Sequence, residues 1–346
     1  DSLDTLHEVD EVTVPEFDKM WRGDTGHFDA TAEAYRHWDR EADDIEPGSI
    51  DQGEVDASCA RCHSPEGFNF LAEYGIDITV PTNVSDGLAC ETCHVGGDFG
   101  EPSPERKFLA EVTFPSDVTF ENDEDSPDDS FICLQCHQGR QAKKHVDERI
   151  DSGKLSFRNV HYLPAGAVLY GSEAEVGYEY DGEDYEGKWG HYGTNAARCT
   201  VCHLEDHSFE PQLTEVCKAC HVEADDLDSI RINRSTDYNG NGSIEEPLRE
   251  EVNTFGERLY AAMQAHATNV IGTGIYYDDH TYPYFMTEGA PPSYGNQYRA
   301  WDDALLKASF NYQLWKKEPG AWAHNTHYIL QLLYDSIKDL KGDLTG

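Results

Sequence analysis

Residues 57–67 read ASCARCHSPEG, and residues 88–97 read LACETCHVGG. The same arrangement, two cysteines two residues apart and a histidine directly after the second, returns in FICLQCHQGR (131–140), ARCTVCHLED (197–206) and EVCKACHVEA (215–224). All ten cysteines of the chain are used in these five copies. Read as disulfides, the pairs would close strained short loops. Read as zinc sites, they should combine two by two into four-ligand sets, and five is an odd number. Neither reading explains the histidine. Covalent haem attachment does: both thiols add to the haem vinyl groups, and the next residue is placed to ligate the iron.

The sequence therefore predicts five c-type haems. They are attached at Cys59 and Cys62, Cys90 and Cys93, Cys133 and Cys136, Cys199 and Cys202, and Cys217 and Cys220. The proximal iron ligands are His63, His94, His137, His203 and His221. Cofactors anchored this densely would supply much of the core, which fits a mean hydropathy of −0.67. They would also lie close enough for rapid electron tunnelling, so the expected role is electron transfer rather than catalysis.

The second axial position decides between a conductor and an enzyme. Eleven histidines lie outside the motifs, against three methionines, Met20, Met263 and Met286. Histidine can cap five irons and methionine cannot, so low-spin, low-potential iron with two histidines is expected at each haem. The alternative is an oxidoreductase acting on a small oxyanion at one open haem. Five motifs that all end in histidine count against it.

Several segments resemble multihaem cytochromes of metal-reducing bacteria. These are GDTGHFDATAEAYRHWD (23–39), RNVHYLPAGAVLYG (158–171), KWGHYGTNAARCTVCH (188–203), CHLEDHSF (202–209) and the C-terminal SFNYQLWKKEPGAWAHNTHYILQLLYDSI (309–337). The resemblance implies that His27, His37, His161, His191 and His207 are the distal ligands, with His324 in reserve. His7, His145, His266, His280 and His327 have weaker cases, and His266 falls on an apolar helical stripe as a packed histidine would. The resemblance also implies delivery of electrons to other redox proteins or extracellular acceptors, at the cell surface or beyond. It extends to self-association into a filament, with a monomeric periplasmic shuttle as the alternative.

Composition bounds the rest. With 67 acidic residues against 26 basic ones, the net charge of −41 argues against nucleic-acid and anionic-membrane partners. It suits a protein kept soluble by charge, or one adapted to salty water where repulsion is screened. No apolar run is long enough to span a membrane. The opening DSLDTLHEVDEV reads as a mature terminus after export.

The expected fold is mainly α and irregular, scaffolded by haem, with a few short strands. A haem domain is expected over 1–222 and a helical segment over 223–346. In the latter, Leu248, Val252, Phe255, Leu259, Met263 and Val270 recur at helical spacing, as do Trp301, Leu305, Ala308, Tyr312 and Trp315. Pro319-Gly320 breaks the run, and Trp322, Ile329, Leu330, Leu333 and Ile337 mark a further helix. Asp181-Gly182, inside the alternating EVGYEYDGEDYEGKW (175–189), predicts a hairpin, and ENDEDSPDD (121–129) a solvated loop. Finally, STDYNGNGSIEEP (235–247) matches the first half of a calcium loop. Asp237, Asn239 and Asn241 are its candidate ligands, with Gly242 at the bend. The twelfth position is Leu248, so Glu246 or Glu250 would have to close the sphere.

Overall fold

The computed structural model describes His27 and residues 54–83, 87–96, 105–190, 198–203, 207, 209–231 and 236–342. Along the chain the helices are α1 (Ala57–His63), α2 (Pro65–Tyr74), α3 (Cys90–Cys93), α4 (Ser130–Leu134), α5 (Lys143–Asp151) and α6 (Ala165–Tyr170). They continue as α7 (Cys199–Cys202), α8 (Glu215–Lys218), α9 (Leu248–His266), α10 (Asp303–Lys317), α11 (Ala321–His324) and α12 (Thr326–Asp339). Strands occur in two-stranded sheets: β1 (Glu54–Val55) with β2 (Thr82–Asn83), β3 (Glu111–Thr113) with β4 (Thr119–Glu121), and β5 (Ile275–Tyr277) with β6 (Phe285–Thr287). The fold is mainly α and irregular, as expected.

The described residues form two compact units. One takes those up to Glu111, Glu121–Cys136, and those within Tyr192–Thr214. The other takes Val112–Phe120, those within His137–His191, and those from Glu215 onward.

In the first unit the local signals are in the sequence around α1. Asp56 accepts from Ser58 N at 2.8 Å and so caps the helix. Ser64 ends α1 and caps α2, where Pro65 stands in the first turn and needs no N–H partner. Gly67 lets the two helices meet, since a Cβ there would lie 2.4 Å from the Ala60 carbonyl oxygen. The apolar core here is thin: Val55, Ala60, Phe68, Leu71, Leu109, Phe131, Ile132 and Leu134 are its buried hydrophobic residues among those described.

The second unit is built differently. α9 packs on α10 and α12, burying Leu259, Met263, Leu305, Leu306, Leu314, Ile329, Leu333 and Ile337. Each such side chain contributes about 2 kcal/mol relative to exposure. Glu250 and Glu251 stand in the first turn of α9, where acids oppose the helix dipole favourably. Asp302 caps α10 through Leu305 N at 2.8 Å, and Asn325 caps α12 through Tyr328 N at 3.1 Å. Gly256 faces the Trp315 ring, which a Cβ would meet at 2.4 Å, so the approach of α9 to α10 requires glycine.

Two expectations are corrected. The stripe on α9 ends at Met263, because residues 267–271 form a wider π-type turn that leaves Val270 69% exposed. The Asp181-Gly182 turn forms, with Gly182 at φ 88°, but no strands flank it. Groups that a ladder would use are taken by helix side chains instead. Gly177 N donates to Tyr328 Oη at 3.1 Å, Tyr178 N to Asn311 Oδ1 at 2.7 Å, and Glu186 N to Gln331 Oε1 at 2.8 Å. The β5–β6 hairpin was not expected from the sequence, although IYY (275–277) shows the aromatic and β-branched bias of a strand.

Candidate haem-attachment sites

Each motif is wound into about one helical turn. Residues three apart on such a turn share a face, so the two thiols of a motif point the same way and the histidine follows at the turn's end. His94 N donates to the Cys90 carbonyl at 3.0 Å, His203 N to Cys199 at 2.9 Å, and His221 N to Cys217 at 2.9 Å. His63 is the last residue of α1. In the third motif Cys136 N donates to the Cys133 carbonyl at 3.1 Å. None of the ten cysteines is joined to another in a disulfide.

Two motif histidines are oriented in a way that suits an iron ligand. His137 Nδ1 lies 2.9 Å from the Leu163 carbonyl oxygen, and His203 Nδ1 lies 2.6 Å from that of Phe209. A carbonyl only accepts, so Nδ1 carries the hydrogen and the neutral ring keeps its lone pair on Nε2. A backbone carbonyl fixing the outer nitrogen is how metal-bound histidines are held. Val95 and Val222, directly after His94 and His221, are 51% and 81% exposed and offer apolar surface beside those motifs. The residues present therefore fit haem c.

The first unit gathers motifs far apart in sequence. The Cys133 thiol is hydrogen-bonded to Cys199, and the Cys136 thiol to Cys62; these bonds, with burial, hold both thiols well above the usual range. Burial pushes Cys93 up to about 11. Cys199 N donates to Ser130 Oγ at 2.9 Å, and Thr200 Oγ1 donates to Asp129 Oδ1 at 3.2 Å. Asp129 also pairs with Arg106, whose backbone forms a β-bridge with His94. The end of the acidic run is thus a joint between the second and fourth motifs, while residues 123–127 are exposed as expected.

Of the predicted distal ligands, His37 and His191 lie outside the described residues, as does His7. His27 lies in the first unit: its carbonyl accepts from Leu88 N at 2.6 Å and its ring is 5.0 Å from that of Phe209. His207 is 6.0 Å, centre to centre, from both His94 and Phe209. In the second unit, His161 sits on the segment that binds the backbone of His137 and Arg140: Arg140 N donates to Val160 O at 2.8 Å and Gly166 N to His137 O at 2.7 Å. His161 and His207 both have left-handed backbones, φ 78° and 63°. Non-glycine residues are held there only where their surroundings over-determine the conformation, which is common at functional sites.

The calcium-like loop brings carboxylate oxygens of Asp237, Glu246 and Glu251 within 4.8 Å of one another. Asp237 accepts from Gly240 N and Gly242 N at 2.7 and 2.6 Å. The side-chain amides of Asn239 and Asn241 donate to Glu246 Oε1, both at 2.9 Å, so in this arrangement they tie the loop together. Of the two closing acids named from the sequence, Glu246 joins the cluster and Glu250 does not, while Glu251 was missed. The first turn of α9 directs Glu250 to solvent and buries Glu251, which pairs with Arg231.

Comparison with known proteins adds relatives. The chain is 28% identical over 375 residues to the C-type polyheme cytochrome OmcB of Geobacter sulfurreducens, covering 89% of this chain and 46% of that protein. It is 28% identical over 385 residues to the C-type polyheme cytochrome OmcC of the same species, covering 90% and 45%. Its relatives are polyhaem c-type cytochromes. The resemblance to multihaem cytochromes of metal-reducing bacteria, carried in the sequence by short segments, thus extends over about nine-tenths of the chain. The chain spans about half the length of these cytochromes. No family model and no solved structure matches it.

The other described histidines make contacts of their own. His145 Nδ1 accepts from Ala142 N at 3.0 Å, closing the start of α5. His266, half-buried at the end of α9, pairs with Asp302 at 2.7 Å. His324 Nδ1 is 3.1 Å from Glu318, and His327 Nε2 is 3.1 Å from the Tyr238 hydroxyl. His280 is exposed beside Asp279.

Proposed function

We propose that this chain carries five covalently attached haems c and moves electrons along them outside the cytoplasm. The observation that carries the reading is the set of five motifs using every cysteine, with relatives named as polyhaem c-type cytochromes over about nine-tenths of the chain. Bound haem iron supplies a ferric–ferrous couple. The chain's own part is to fix each porphyrin through two thiols and to orient the motif imidazoles. His137 and His203 are held for this by the carbonyls of Leu163 and Phe209. Histidine caps at all five irons, drawn from His27, His37, His161, His191 and His207, would leave no open coordination site, which favours conduction over oxyanion reduction. The test is haem stoichiometry together with electron paramagnetic resonance of the ferric protein. Five haems, all low-spin, is the expected result; a stoichiometric high-spin haem would move the reading to the reductase.

The proposal extends to location and assembly. Among the described residues no helix is long and apolar enough to cross a membrane. We place the haem-bearing stretch 1–222 and the helical stretch 223–346 at the cell surface or beyond, passing electrons to redox proteins or extracellular acceptors. Head-to-tail association into a filament would need an exposed haem edge at each end of the chain of haems, in a contact that does not close on itself. Electron microscopy at high salt tests this, and monodisperse single particles would remove it.

At the start of the helical stretch, Asp237, Glu246 and Glu251 support a calcium site, with Asn239 and Asn241 shaping its loop. A hard cation favours such an oxygen cluster and would add stability by mass action. Heat denaturation with and without chelator should separate by several degrees; coincident curves would rule the site out.

A further inference from the structure

We infer that His94 and His207 are the two axial ligands of one iron, that of the haem attached at Cys90 and Cys93. His207 would then cap the second motif's haem, although it follows the fourth motif in sequence. The inference rests on the haem reading above and deepens it.

The first observation is the spacing of the rings. Their centres are 6.0 Å apart and their planes are inclined by 42°. Two imidazole nitrogens bonded to a metal from opposite sides at about 2 Å, each about 1.2 Å from its own ring centre, set the two centres about 6.4 Å apart, within about half an ångström of the spacing here. The inclination belongs neither to a stacked pair nor to an edge-to-face one, the arrangements that aromatic contact alone favours.

The second observation is that the spacing is imposed by two separate sets of bonds. On one side His94 is held by its β-bridge to Arg106, flanked by Val95 N to Glu105 O and Lys107 N to Cys93 O, both 2.8 Å. On the other side the loop bearing His207 is closed by the β-bridge of His203 with Pro211 and by His203 Nδ1 on the Phe209 carbonyl. Asp129 joins the two sides, pairing with Arg106 and accepting from Thr200 Oγ1. The fourth motif thereby carries its loop to the second motif's histidine.

The third observation is the backbone of His207. Its φ of 63° is a left-handed conformation that a side chain resists and glycine would relieve. A histidine at such a position fits a side chain needed in one direction. His27 is the competitor in this cluster, and its ring packs on Phe209.

The test uses the full holoprotein. H207A should keep five haems while one of them turns from low-spin to high-spin, and H207M should keep all five low-spin and raise one midpoint potential. In a C90A/C93A background, with four haems, H207A should produce no high-spin haem. A high-spin haem in that background, or no spin change in the parent, would overturn the assignment; in the latter case H27A becomes the variant that changes the second haem. If C90A/C93A does not accumulate, H94M/H207M decides the matter: one perturbed haem is expected, and two would overturn it. Failure of the haem reading itself is distinguishable, since the unmodified protein would then lack five low-spin haems.

Discussion

Phe209 serves three histidines with one residue. Its carbonyl orients His203, while its ring packs on His27 at 5.0 Å and His207 at 6.0 Å. Its own φ is 52°, a left-handed conformation that a side chain resists. Two substitutions therefore separate the contributions. F209A loses the ring and keeps the backbone strain, and for a half-buried phenylalanine we expect a loss of about 2 kcal/mol. F209G loses the same ring but relaxes the backbone, so it should be the more stable of the two by about 1 kcal/mol, the reverse of the usual order. Chemical denaturation of both variants checks this. His145 gives the contrasting case. Its Nδ1 accepts from Ala142 N, so the neutral ring carries its hydrogen on Nε2, the wrong tautomer for an Nε2 iron ligand. H145A should cost about 1 kcal/mol through the lost cap and leave the spin state of every haem unchanged.

Among the elements, α10 and α12 hold the segment 175–189 through buried polar groups. Tyr328, fully buried on α12, donates to Glu179 Oε1 at 2.9 Å, and burial followed by that carboxylate holds its hydroxyl well above the usual range. Burial raises Glu179 as well, against the opposing hydrogen bond from Tyr328. The folded protein thus keeps the proton on Glu179 longer than the unfolded chain does. The associated stability is complete below the ordinary carboxylate range and is lost as pH rises through the raised value. E179Q should flatten that part of the profile, measured as the difference between wild-type and variant denaturation midpoints from pH 4 to pH 8. The same segment shows where sequence reading stops. α9, α10 and α12 were legible because a period of 3.6 and the Pro319-Gly320 break are local signals. The hairpin at Asp181-Gly182 did not form because Asn311, Tyr328 and Gln331, all distant in sequence, bind its backbone N–H groups. No local pattern records such partners. The candidate sites divide likewise: five motifs are written out in the chain, but the meeting of His207 with His94 depends on Asp129 and Arg106, and Glu251 faces inward only because of the phase of α9.

At the scale of the molecule, charge and core set the behaviour. A net charge of −41 repels itself, and salt screens that repulsion over about 10 Å at 0.1 M and about 3 Å at 1 M. The melting temperature should therefore rise with sodium chloride up to molar concentrations; a fall would show that repulsion is not what limits stability. The apolar cores are unequal, thin around Val55 and Phe68 and dense around Leu259, Leu305 and Leu333. When all ten cysteines are replaced by alanine, hydrogen exchange should remain slow in α9, α10 and α12 and become fast in α1, α3 and α7. The one-turn length of α3 and α7 has a further consequence, and it concerns time. A helix of four residues cannot nucleate itself, since fixing its first turn costs more than its single hydrogen bond returns. The long helices can begin from local contacts, but α7 must wait for Ser130 and Asp129, and α3 for the pairing of its end with Glu105, Arg106 and Lys107. The second and fourth motifs should therefore order late in folding and stay open to whatever loads their haems until those partners arrive.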